Sequence, residues 1–313
     1  MTDIPRLLSD KMASGEINTL IAEILELNPL HRRFLETAIT NIRDKEMVDL
    51  GKYLEFCIAC GHDMHYVADC YMTIVEDTLN EQMYFIRHGN YRYSSFAEVA
   101  DAVYFNRDYM NKYMYGLAIT SFLWPNHIAM SRFFQQTFPS EKIGRYLEVG
   151  PGHGYYSMTA LDIGSLDSII GVDISEASLN QTRAVLDHFH PHYASQIKLI
   201  HMDFLDAKEL EANSFDILVM GEVLEHVEQP QLFLERLANL SASDAHIYVT
   251  TCINAPAIDH IYLWRNIEEL EVMIAAAGLL IRDKLYLPYD GKTLEESLDQ
   301  KLAVNVAYVL GVA

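Results

Sequence analysis

The side chains best placed for chemistry in this chain are acids that follow short apolar runs. In Tyr146-Leu-Glu-Val-Gly-Pro-Gly-His-Gly-Tyr-Tyr156, a strand-like stretch carries Glu148 and runs into glycines at 150, 152 and 154. Backbone without Cβ atoms can turn sharply there and let a ligand press against it. A dinucleotide-binding loop reads G-x-G-x-x-G/A, with the pyrophosphate on the next helix N-terminus. Here the third small position holds Tyr155, and Glu148 would sit badly beside a pyrophosphate. The loop suits a ligand that lacks phosphate there and carries positive charge.

Two further acids complete the pattern. Asp173, followed by Ile174 in Gly171-Val-Asp-Ile-Ser175, can accept hydrogen bonds from both ribose hydroxyls of an adenosine group. Asp203, in His201-Met-Asp-Phe-Leu205, can accept from the adenine amine while Phe204 packs beside the ring. A fourth segment, Phe215 to Pro230, carries Glu222 and His226. An adenosine with a positive charge and no phosphate describes S-adenosylmethionine (SAM). Each acid has a structural alternative: Asp173 could cap the next helix, although Ser175 already offers that cap, and Asp203 could be a solvated loop acid.

Four segments resemble the class I SAM-dependent methyltransferases: residues 147–154, 171–175, 202–204 and 222–227. The resemblance covers roughly residues 143–313, and its last segment is similar to quinone-type O-methyltransferases and carboxyl methyltransferases. It implies in-line methyl transfer from the sulfonium, leaving S-adenosylhomocysteine. It further implies Glu148, Gly150 and Gly152 around the methionine part, Asp173 at the ribose and Asp203 at the adenine; Ile174 and Phe204 are the further cofactor-binding candidates. Glu222 would lie near the transferring methyl.

A hydroxyl acceptor that arrives protonated needs a base, and imidazole titrates near neutral pH. His226 and His260 are the two candidates, each with a structural hydrogen bond as its alternative. Cys57-Ile-Ala-Cys-Gly-His-Asp-Met-His65 invites a metal reading. Zinc ligands usually come as two pairs on separated elements, whereas these four crowd into one short stretch. Buried cysteines and a polar turn are the simpler account, and no metal ligand is assigned.

The elements that must hold these groups are strands at 145–149, 168–174, 196–202, 214–220 and 246–251, separated by helices. Strands at 279–287 and 304–312 follow. Alternation of this kind gives right-handed βαβ units. The expected fold is α/β: a Rossmann-like doubly wound sheet, mostly parallel, with the last two strands as an antiparallel edge hairpin. Residues 1–140 read as an all-α domain that covers the substrate or mediates dimerisation, and 141–313 as the SAM-binding domain. The helical half has apolar residues at helix spacing, such as 17, 20, 21, 24, 25 and 27, and a Met and aromatic stripe at 109–115 that suits a core.

Composition narrows the partners. The chain has 313 residues and a formal charge of −21. Nucleic acids and anionic membranes call for a cationic surface, so neither is expected, and a small-molecule acceptor is. The N-terminus shows no basic segment before an apolar core, and four cysteines make no disulfide framework, so the cytoplasm is expected. Oxygen is the first expectation for the acceptor atom, with nitrogen or carbon next. A SAM-fold enzyme with a non-methylating reaction and a non-enzymatic SAM-binding scaffold are the rivals, and the helical half could contribute a homodimer interface as readily as a lid.

Overall fold

Apolar alternation beyond residue 143 becomes a seven-stranded sheet: β1 (Gly144–Val149), β2 (Leu166–Asp173), β3 (Ile197–His201), β4 (Phe215–Gly221), β5 (Ser241–Ile253), β6 (Leu279–Leu287) and β7 (Val304–Val312). Their order is β3-β2-β1-β4-β5-β7-β6. The first five are parallel, and β7 pairs antiparallel with both β5 and β6. The expected α/β sheet with an antiparallel edge is what forms. This computed structural model describes residues 4–11, 13–141 and 144–313. Residues 1–3, which begin the segment read above for a leader, and residues 142 and 143 at the expected domain junction lie outside the described residues.

The period-two pattern of the strands sends alternate side chains into two cores. Leu147, Val149, Leu218 and Met220 enter one core, with Phe233, Leu234 and Leu237 of the helix Pro230–Leu240. Tyr146, Ile217, Val219 and Tyr248 enter the other, with Met130, Phe134 and Phe138. Helix starts follow their caps: Ser175 accepts from the Ser178 amide, and Asn266 from the Glu269 amide.

Some elements escaped the sequence reading. β5 begins at Ser241, earlier than its apolar run, because Ser241–Asp244 extend the strand with polar residues. The short helix Leu294–Asp299 starts at a Thr293/Glu296 capping box, a signal that was readable. After Ser95 the chain makes one α turn (Phe96–Val99) followed by a π turn (Ala100–Tyr104).

By contacts the chain divides into two compact units, residues 1–77 with 111–129 and residues 78–110 with 130–313. Composition places a boundary near 140; contacts assign helical residues 78–110 and 130–137 to the unit that holds the sheet. In the first unit, His31 Nε2 lies 2.7 Å from the Tyr71 hydroxyl, and Lys112 pairs with Asp69 at 2.5 Å. His65 pairs with Glu23. Cys57 is buried, and burial raises its thiol pKa far above the ordinary value. Among the described residues no helix is long and apolar enough to cross a membrane.

Candidate functional site

The carboxyl ends of the parallel strands hold the chemistry-bearing residues. At the end of β1, Gly150, Gly152 and Gly154 have φ of 66°, 56° and 77°, the left-handed region that favours glycine. The Gly150 amide donates to the Val172 carbonyl at 2.8 Å, which ties the loop to β2. The Thr182 hydroxyl donates to the Gly152 carbonyl at 2.9 Å from the helix Glu176–Phe189. A Cβ on Gly150 would stand 2.7 Å from Val223 Cγ2. Gly150→Ala is therefore expected to destabilise the sheet unit by about 1–2 kcal/mol from backbone handedness alone. An unchanged urea midpoint would contradict this.

Register staggers the three acids along neighbouring strands: Glu148 pairs with Gly171, two residues before Asp173, and Asp173 pairs with His201, two residues before Asp203. Asp173 is half-buried and accepts from the Ser175 amide at 2.8 Å. Burial raises its pKa to about 6, against the lowering effect of backbone donors at Ser175 and Gly152. Glu148 is 2% exposed, and its Oε2 accepts from the Tyr146 hydroxyl at 2.8 Å and from the Ser157 hydroxyl. Burial pushes its pKa to about 7 despite those donors. Asp203 is exposed and turns back to accept from the Leu205 amide at 2.8 Å. Ile174 is half-buried, and its carbonyl lies 2.9 Å from His201 Nε2.

Beyond β4 and β5 lies a second group. Glu222 takes a positive φ of 51°, and its amide donates to the Thr250 carbonyl and hydroxyl, each at 3.0 Å. Asn254, at the end of β5, has φ of 50°. Strained non-glycine residues at two neighbouring strand ends mark a site whose surroundings hold the strain. Glu222 Oε1 is buried without a hydrogen-bond partner, and burial, then the charge of Glu225, push its pKa well up. Glu225 is 0% exposed and accepts from the Thr251 hydroxyl at 2.7 Å.

The two candidate histidines sit together, with ring centroids 4.7 Å apart and nearly perpendicular. His226 Nδ1 lies 3.0 Å from the Tyr104 hydroxyl, 3.2 Å from the Asp259 carbonyl and 3.3 Å from Asp259 Oδ2. The π turn delivers Tyr104, whose hydroxyl donates to Asp259 Oδ2 at 3.0 Å. Burial alone would lower the pKa of His226, but Asp259 outweighs it and lifts it to about 9. His226 is thus a cation at neutral pH, which corrects its reading as a base ready to accept a proton. Burial, and then the charge of His226, lower the pKa of His260. Its Nδ1 donates to the Ala255 carbonyl at 2.6 Å.

A family model described as a methyltransferase domain matches residues 147–247. These residues carry a methyltransferase domain. The chain is 29% identical over 112 residues to the ubiquinone biosynthesis O-methyltransferase of Neisseria meningitidis serogroup C, covering 36% of this chain and 45% of that protein. The match is 26% over 183 residues to the protein of the same name from Parvibaculum lavamentivorans, covering 51% and 68%. The chain thus spans less than half of the first of these relatives. Its fold resembles a methyltransferase solved with the Haloferax volcanii Trm112 activator (TM-score 0.52, 15% identity, 66% of this chain and 96% of that one). It also resembles mitomycin 7-O-methyltransferase (TM-score 0.52, 14% identity, 80% and 70%).

The glycine loop, Asp173, Ile174 and Asp203 occupy neighbouring strand ends. Phe204 differs from expectation: it is 3% exposed, packed on Phe233 and beneath Arg236. Its ring fills the core and offers no face to an adenine. The sequence reading missed Asp259, Tyr104 and Glu225. For Glu225 the signal was present in its spacing to Glu222 and His226 on one turn; the other two join the site only through tertiary contacts.

Proposed function

We propose that this methyltransferase transfers the methyl group of SAM to an oxygen of a small-molecule acceptor. The observation that carries this reading is the left-handed glycine loop at the end of β1 beside the half-buried Asp173 at the end of β2. The cradle has no room for a Cβ at Gly150, and Asp173 holds a carboxylate without a cation for ribose hydroxyls to approach. The names of the curated relatives support oxygen as the acceptor atom.

Bound SAM supplies an electrophilic methyl on a sulfonium; the S–CH3 bond breaks as O–CH3 forms, and the electron pair stays on sulfur. The protein's part is placement and proton removal. Asp173 orients the adenosine, Asp203 supports the base, and Glu148 provides negative charge beneath the loop for the amino end. Glu222, Glu225, His226 and His260 surround the place where the acceptor hydroxyl loses its proton. Tyr91 and Tyr104, from helical residues 78–110, pack on these histidines and help exclude water.

The test incubates the protein with SAM and a panel of small phenols, catechols and carboxylic acids. Methylated product and S-adenosylhomocysteine should appear in equal amounts; absence of SAM binding by calorimetry overturns the reading. His260→Ala should lower kcat by about a hundredfold or more, in the range of acid–base groups, and His226→Ala should lower it through loss of the positive charge beside the acceptor, each changing the pH profile. Full rates with unchanged profiles in both would remove the cluster from the proton's path.

A further inference from the structure

Glu225, His226 and His260 each bring one ligand atom to a common point, all within 4.8 Å of one another. Both imidazoles are arranged alike. Three oxygens surround His226 Nδ1, and the Ala255 carbonyl takes the hydrogen of His260 Nδ1. Each ring therefore has Nε2 left as its ligand atom, and on His226 a bound ion displaces the proton carried there. A carboxylate or backbone carbonyl fixing one nitrogen of a histidine is the usual support for a histidine that binds metal through the other.

Charge points the same way. Glu222, Glu225 and Asp259 are gathered here, with one oxygen each of Glu222 and Glu225 and the Cys252 sulfur also within 4.8 Å of one another. Among the described residues no lysine or arginine pairs with Glu222 or Glu225. Burying carboxylates without cations is costly, and such groups are normally paired or coordinate metals. Glu222 Oε1, buried and without a hydrogen-bond partner, is an unsatisfied acceptor beside the same residues.

We infer that Glu225, His226 and His260 bind one divalent transition-metal ion, with Asp259, Tyr104 and the Ala255 carbonyl orienting the imidazoles. Two imidazoles and a carboxylate suit manganese, iron, cobalt or zinc better than magnesium or calcium. Three protein ligands leave positions open, as at catalytic rather than structural sites. Resting on the proposed methyl transfer, the open position takes the acceptor's hydroxyl oxygen. The ion lowers that hydroxyl's pKa, the proton passes to solvent, and the oxygen's electron pair forms the bond to the methyl carbon.

The test strips the full chain with a chelator and titrates it with manganese(II) and zinc(II), read by calorimetry and, for manganese, by electron paramagnetic resonance. One ion per chain is expected. Glu225→Gln and His260→Ala should each weaken binding at least tenfold, and Asp259→Asn by ten- to a hundredfold, with circular dichroism and melting reporting that the variants fold. Failure of the unaltered chain to bind either ion, or binding that survives His260→Ala, overturns the inference. SAM binding is measured separately. One bound ion in a chain that fails to bind SAM would uphold the metal site and sink the methyl-transfer reading.

Discussion

Replacing Asp173 by alanine is expected to weaken SAM binding ten- to a hundredfold. The carboxylate ends β2 beside the glycine loop, and two ribose hydroxyls donating to it would form charge-assisted hydrogen bonds. Such bonds contribute about 1.5–3 kcal/mol, and a tenfold change in Kd corresponds to about 1.4 kcal/mol. The pH dependence gives the sharper test. Burial holds Asp173 near pKa 6, so in the free protein it is mostly protonated at pH 5. Hydroxyl donors favour the anion, so binding should release a proton below about pH 6, and affinity should rise as pH passes from 5 to 7. Calorimetry in buffers of different ionisation enthalpy counts that proton. Asp173→Asn should lose both the proton release and the slope. An unchanged Kd in the alanine variant would remove Asp173 from the ribose.

The donor side of this site was legible in the sequence because its parts are local. A strand, alternating glycines and an acid at each of three strand ends are fixed by short segments whose order along the sheet follows from βαβ handedness. Phe204 shows the limit of that logic: its position follows from spacing, but packing against Phe233 decides which way the ring points. The acid–imidazole cluster was only partly legible. His226 and His260 stood out as residue types, yet their protonation depends on Asp259, Tyr104 and Ala255, which tertiary structure alone brings together. The same holds for the helical residues: periodicity marks them as helices, but residues 78–110 join the sheet's unit through contacts no period encodes, such as Glu228 accepting from the Phe96 amide and Arg265 donating to Asn90.

Glu148 should prove to be a group that function retains at a cost in stability. It is 2% exposed, and burial lifts its pKa from 4.5 to about 7 against the lowering effect of the Ser157 and Tyr146 donors. A carboxyl whose pKa is raised on folding favours the folded state when protonated. Its contribution is therefore full below about pH 4.5 and is lost as pH rises through about 7. A shift of that size is worth up to about 3 kcal/mol at alkaline pH. Glu148→Gln keeps the shape and leaves a carbonyl oxygen for the Tyr146 and Ser157 hydroxyls, while removing the charge. At pH 8 the variant should be more stable than the unaltered, ligand-free chain by about 1–3 kcal/mol, with the gain gone at pH 5. Urea titrations at the two values, with hydrogen exchange of the β1 amides reporting on the sheet unit, provide the measurement. Equal stability slopes between pH 5 and 8 would show that Glu148 titrates as an ordinary carboxylate. SAM affinity should move the opposite way, weakening in the more stable variant, because the negative charge that burdens the empty loop is the one that attracts the donor's cation.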